Sequence, residues 1–283
     1  MVVAVYDRQL SHHENSSDRT RRASVCSQAN WILHRTVDGS LTSPHTAAAD
    51  TGPSSMHEGG EGYAVTPRTK VKRSAARGRY DRDTVHAILD EAFLCHVAYV
   101  EDDQPFVIPT AYCRIGDKVY LHGHISNKLL KSMKGGVPIC MTVTLLDGLV
   151  LARSTFHHSM NYRSCVILGT GEAITDLEEK RAVLEAIVEH IVPGRNVEAR
   201  QPTEAELKAT SVVSLELSEV SAKVRTGPPI DDKQDMELPI WAGVLPIDQV
   251  KGVGQPQPDP KLMSGLAVPQ YIAQYHRLSG SAA

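Results

Sequence analysis

Between Leu94 and His124 the chain reads LCHVAYV, PFVIPTAYCRI and KVYLHGH, three short runs rich in β-branched and aromatic residues and broken by turn residues such as Gly116-Asp117. Runs this close together must pair antiparallel, because parallel neighbours need a crossover of about a dozen residues between them. The pattern resumes after a short helical piece, SNKLLKSM. It continues as VPICMTVTLL, an Asp147-Gly148 hairpin signal, GLVLARST, YRSCVILGTGEAI, SVVSLELS and AKVRT. This predicts about six to eight strands in a mainly β (α+β) fold, either an antiparallel barrel or a sheet with helices beside it.

Three helices are predicted around that sheet. Asp81 caps the first, whose apolar face is Val85, Ile88, Leu89 and Ala92. Asp176 with Glu179 opens the second, Leu177 to Ile191, where Val183, Leu184, Ile187, Val188 and Ile191 form a stripe. Thr203 with Glu206 opens a third, shorter one.

The chain divides into three parts. Residues 1–65, rich in Ser, Thr, His, Asp and Gly, lack the periodic apolar positions that offset ordering entropy and are expected to form a disordered leader. Its Asp7, Glu14 and Asp18 argue against an organelle transit peptide. Residues 66–250 form the expected folded domain. Residues 251–283 are expected to be a flexible tail, with a weak helix in LMSGLAVPQYIAQYHRL broken by Pro269. Thr66 to Tyr80 holds six basic residues and no acid, a solvated linker or an arm that lays charge over an anionic ligand.

Across 283 residues, 30 basic and 33 acidic side chains leave a formal net charge of -3, so nothing global favours nucleic acid or an anionic membrane. No run approaches the roughly 18 apolar residues of a membrane span, and a cytoplasmic protein is expected. The five cysteines include no CxxC pair. All but Cys26 lie in apolar runs and are expected to be reduced and buried.

HGHISNK is the stretch richest in chemistry. It places Ser126, Asn127 and Lys128 at the opening of a helix, where free N–H groups, a hydroxyl and an ammonium suit a phosphate. The alternative is a simple cap beside a solvated lysine. A phosphate grip alone binds weakly, so tight binding requires a flat apolar body attached to it and buried against the sheet. His122, His124, His157 and His158 could together ligate a metal, although no carboxylate or thiolate is spaced to complete the set, and no metal is expected. There is no GxSxG elbow, and the GTG at Gly169 to Gly171 lacks the glycine-led helix of a dinucleotide fingerprint. Finally, Arg153, Arg163, Lys223 and Arg225 lie in or beside apolar strands, where an unpaired cation is costly. Each needs an internal acid or an anionic ligand.

Taken together, RGRYD at Arg77 to Asp81, PFVIPTAY at Pro105 to Tyr112, VYLHGHISNK at Val119 to Lys128, VTLLDGLVLARSTFHHSMNYRSCVILG at Val143 to Gly169, KVRTGPP and LPIWAGVLP resemble the pyridoxamine 5′-phosphate oxidase-like family, in its flavin-nucleotide-binding and nitroimidazole-resistance branch. The resemblance runs from about Arg68 to Leu245. It implies an antiparallel split β-barrel with peripheral helices, a homodimer, and FMN at or near the subunit interface. Carried to this chain, it lays Val107, Ile108, Pro109 and Thr110 along the isoalloxazine ring with His122 beside them. Ser126, Asn127 and Lys128 take the ribityl phosphate, and Tyr162, Arg163, Ser164 and Trp241 complete the lining. Phe106 and Val107 stand where strict pyridoxamine-phosphate oxidases carry an arginine, which points away from vitamin B6 oxidation. Some relatives hold haem or a deazaflavin instead.

The resemblance thus implies a flavin-dependent oxidoreductase acting on a small soluble substrate. His122 would orient the substrate or donate a proton, and Arg163 or Arg153 would stabilise the reduced, anionic flavin. A non-catalytic flavin-binding or storage protein is the neighbouring reading, and a histidine-ligated metal enzyme the more distant one.

Overall fold

A computed structural model describes residues 62–247 and 256–275. A short 3-10 turn, Ala75–Arg77, leads into β1 (Gly78–Arg79), followed by α1 (Arg82–Glu91), β2 (Leu94–Glu101), β3 (Gln104–Ile115), β4 (Lys118–His124) and α2 (Lys128–Lys134). Then come β5 (Ile139–Leu151), β6 (Ser159–Gly169), β7 (Glu172–Ile174), α3 (Leu177–Ile191), α4 (Arg195–Glu198), α5 (Glu204–Lys208), β8 (Thr210–Glu216), β9 (Glu219–Arg225), β10 (Gly243–Pro246) and α6 (Gln270–Ala273).

Every pairing among these strands is antiparallel. The lateral order is β1-β9-β6-β5-β2-β3-β4-β8-β7, with β10 added along β5. β8 and β9 are consecutive and joined through Leu217 and Ser218 alone, yet they stand near opposite ends of that order. The sheet must therefore roll up until its ends meet, which makes it a split barrel, as expected from the sequence.

Alternation sorts side chains onto two faces. Val97, Met141, Val143, Cys165, Ile167, Val213, Leu215, Val220 and Ala222 point inward. They join Val85, Ile88 and Leu89 of α1 and Leu129, Leu130 and Met133 of α2 in the main core. On the outer face, α3 covers the β3–β4–β8–β7 end, where Val183 and Ile187 bury Cys113, Tyr120, Ile174 and Val212. Each such aliphatic side chain contributes about 1.5–3 kcal/mol when fully buried. The rest of that face has no helix over it among the described residues.

The helix signals hold in atomic detail. Asp81 accepts from the Thr84 backbone N–H at 2.8 Å, Asp176 from that of Glu179 at 2.8 Å, and Thr203 with Glu206 closes a capping box. The Asp147-Gly148 signal does not make a hairpin. β5 runs straight through it with a bulge between Leu146 and Gly148. The Asp147 carboxylate binds Arg163, and a Cβ on Gly148 would stand 3.0 Å from Val244 Cγ1, so this glycine makes room for β10. Conversely, YRSCVILGTGEAI divides at Thr170 and Gly171 into β6 and β7, and the very short β1 and β10 carry no periodic signal.

Residues 1–61 of the expected leader lie outside the described residues. The folded unit nevertheless takes in Tyr63, which is buried and hydrogen-bonded to His86 at 3.0 Å. The part of the expected free tail that is described is anchored. Tyr271 donates to Glu198 at 2.7 Å, Tyr275 donates to the Ile191 carbonyl at 2.6 Å, and Pro269 sits at the N-cap of α6. The tyrosine hydroxyls supply the anchors that an apolar-periodicity reading overlooks. No helix among the described residues is long and apolar enough to cross a membrane.

Candidate functional site

The same alternation divides the expected flavin-lining residues. In β3, Val107 and Pro109 stand opposite Ala98 and His96 on the outer face, whereas Ile108 stands opposite inward-facing Val97. In β6, Tyr162 and Ser164 flank Arg163 and so take the face opposite to it. Cys165 and Ile167, of Arg163's own parity, lie in the main core. Val107, Pro109, Tyr162 and Ser164 therefore share one face, with Thr142 and Val166 between them. Ile108, Thr110 and Arg163 have the opposite parity.

His122 belongs to the outer face as well. It pairs with Val212 and has the parity of Tyr120, both in the small core under α3. It follows Leu121, the partner of Tyr112 in the last β3–β4 pair, so it stands where the α3-covered part of the face gives way to the open part. Its Nδ1 is buried and has no hydrogen-bond partner. Burial lowers its pKa below the usual histidine value, so the ring is neutral at pH 7. A neutral imidazole with an orphaned nitrogen is a poor structural element and a good acceptor or tautomeric donor for a ligand.

Ser126, Asn127 and Lys128 are together, but each has a local partner. The Ser126 hydroxyl lies 2.7 Å from His124 Nδ1, and Asn127 caps α2 by accepting from the Leu130 N–H at 3.1 Å. Lys128 is exposed, with Nζ 2.8 Å from Glu101 and over the Phe106 ring at 5.0 Å. α2 is only seven residues long, so any grip on a phosphate at this place comes from side chains rather than from a helix dipole. A ligand would have to draw Lys128 away from Glu101, an exposed pair worth at most about 1 kcal/mol.

Arg163 is the clear correction. Its Nη2 donates to Glu91 Oε1 and Asp147 Oδ1, both at 2.8 Å, its Nε donates to Asp147 Oδ2 at 3.0 Å, and its Nη1 is hydrogen-bonded to the other Glu91 oxygen. Those hydrogen bonds push its pKa up further. Facing inward and held by two carboxylates, it cannot be the cation that steadies a reduced ring on the outer face. Arg153 is likewise held, by the nearly buried carboxylate of Asp231 at 2.9 Å. Sequence spacing did not reveal Glu91, because it lies on α1, 72 residues away from its partner.

Trp241, on the approach to β10, is 69% exposed, and Val107 is 59% exposed. A flat apolar group laid on the outer face would cover Val107, and the orphaned His122 nitrogen would gain a partner. The residues on this face thus fit an isoalloxazine ring. The four histidines do not converge. His158 Nδ1 turns to the Ser154 carbonyl at 2.9 Å, and His157 falls instead into a trio with Asp232 and Asp235. Burial pushes the Cys95, Cys113 and Cys165 thiols up to about 12, so they are inert as nucleophiles. The GTG glycines are packing devices: a Cβ on Gly171 would stand 2.6 Å from Val213 Cγ1.

Residues 81–224 match the family model described as pyridoxamine 5′-phosphate oxidase. Among solved structures, the chain is similar to the flavocytochrome Anf3 of Azotobacter vinelandii, with 43% identity, 73% of this chain and 95% of that chain covered, and a TM-score of 0.69. It is also similar to the FAD and haem binding protein of Mycobacterium smegmatis, with 33% identity, 71% and 98% coverage, and a TM-score of 0.67. No curated protein matches the chain.

Proposed function

The chain belongs to the pyridoxamine 5′-phosphate oxidase family, and on that premise we propose that it is a flavoprotein, an oxidoreductase acting on a small soluble substrate. The observation that carries this reading is the open outer face. It gathers Val107, Pro109, Tyr162 and Ser164 beside a neutral His122 whose Nδ1 lacks a partner. The flavin, FMN or FAD, would supply the redox chemistry. The chain's part is to seat the ring on that face, exclude water from it, and hold a neutral imidazole at its edge. Ser126 and Lys128 would meet a phosphate. Exposed Val107 and Trp241 support a homodimer in which a second copy closes the face.

Haem beside the flavin is a second reading, supported by the two similar proteins, one a flavocytochrome and the other FAD and haem binding. The test is the visible spectrum of the purified protein, mass identification of the released chromophore, and a pyridine haemochrome assay. A flavin spectrum bleached by NAD(P)H and restored by an acceptor supports an oxidoreductase. Flavin that no donor reduces leaves a storage or carrier protein, and a colourless protein that takes up no flavin contradicts the proposal.

A further inference from the structure

Of the four cations that the sequence places among apolar strands, two find carboxylates. Lys223 and Arg225 do not. Arg225 is 5% exposed, and its partners are neutral oxygens: Asn161 Oδ1, the Gly227 carbonyl at 3.5 Å and the Pro228 carbonyl at 3.3 Å. Its Nε is buried without any partner. Neutral carbonyls solvate a guanidinium but do not cancel its charge. Among the described residues, no carboxylate is ion-paired with Arg225, Lys223 or Arg77.

The basic arm left open by the sequence ends at this place. β1 pairs with β9, setting Gly78 opposite Lys223, and the 3-10 turn before it carries Arg77 alongside β9. The charge of Arg77 adds to the burial that already lowers the pKa of Arg225, so the arm brings a like charge to a cation that needs an opposite one. Lys223 and Arg225, two apart on β9, stand opposite Ser164 and Tyr162 of β6. Lys223, opposite Ser164, therefore borders the same outer face as the flavin-lining residues, with the buried Arg225 beside it. Register puts Lys223 two residues from Arg225, the charge of Arg77 acts on Arg225, and none of the three is ion-paired among the described residues; such a group of cations favours a dianion over a single carboxylate.

We propose that the β1–β9–β6 corner binds a phosphoryl group, contacted by Lys223 and Arg77 above the buried charge of Arg225. The proposal rests on the outer face being the flavin site only for the source of that group, which is either the cofactor's own tail or a phosphorylated substrate. Arg225 acts as a positioning residue that supplies field from beneath, while Lys223 and Arg77, both partly exposed, make the contacts.

The test is a calorimetric titration of the protein as purified with inorganic pyrophosphate, for wild type, Lys223→Gln and Arg77→Gln. Wild type is expected to bind, with affinity falling as salt rises, and each substitution to weaken it by about tenfold or more. Because both side chains are partly exposed, the variants keep the wild-type thermal midpoint, which separates a lost contact from a lost fold. Pyrophosphate that displaces bound flavin assigns the corner to the cofactor's tail. Pyrophosphate that binds without displacing flavin assigns it to a substrate. Binding that depends on Lys223 in a protein that takes up no flavin upholds this site while the flavin reading falls. No binding to wild type, or equal binding to all three proteins, overturns the proposal whether or not flavin is present.

Discussion

Arg163 of β6 and Arg225 of β9, each an arginine in an apolar strand, have opposite fates. Arg163 points inward, where α1 and the β5 bulge present Glu91 and Asp147. Arg225 is buried at the edge of the outer face among carbonyl oxygens, with a second cation nearby. The contrast shows what β alternation decides: the chain's own acids complete the inward arginine, and among the described residues no carboxylate is ion-paired with Arg225.

The largest expected effect breaks the comparison at its paired member. Arg163→Met strands two carboxylates, one of them buried, and should cost about 3–5 kcal/mol in urea denaturation. Arg225→Met removes a buried charge and leaves only neutral acceptors unpaired, so about 1–3 kcal/mol is expected. Equal losses would mean that Arg225 has an acidic partner after all.

A second prediction concerns Tyr63, buried against His86 of α1. Burial, then the charge of Asp117, raises the Tyr63 phenol from 10.0 to about 12. The folded state therefore holds this proton more tightly than the unfolded one. Its contribution is fully present below pH 10 and is lost as pH rises toward 12. Alkaline denaturation curves of wild type should fall in that window, and Tyr63→Phe should flatten the fall. Identical curves would contradict the placement of Tyr63.

The smallest effect on stability is expected at Lys128. Its pair with Glu101 is exposed, so Lys128→Ala should shift unfolding by no more than about 1 kcal/mol. Flavin affinity, by contrast, should weaken by about tenfold if Lys128 reaches a phosphate. Unchanged affinity would leave Lys128 as Glu101's partner and nothing more.

The sequence made the architecture readable because strands, turns and caps are local signals: Asp81, Asp176 and Thr203 open helices where their spacing places them. It misread Asp147-Gly148 because a bulge and a hairpin use the same residues, and only the approach of β10 separates them. At the candidate site, the motif proposes His122 and the β3 residues as flavin neighbours, and alternation puts His122, Val107 and Pro109 on one face. The role of Arg163 could not be read from the motif, because its partner Glu91 is brought to it by packing, and because a motif read as a continuous string ignores which face each residue takes.

That question of faces is also where the account is most exposed. Val107 lies outward and largely open, so Val107→Glu should leave the thermal midpoint within a degree or two of wild type, yet abolish flavin uptake measured by quenching of flavin fluorescence. A Val107→Glu protein that is equally stable and binds flavin as tightly as wild type would show that the ring does not lie on this face.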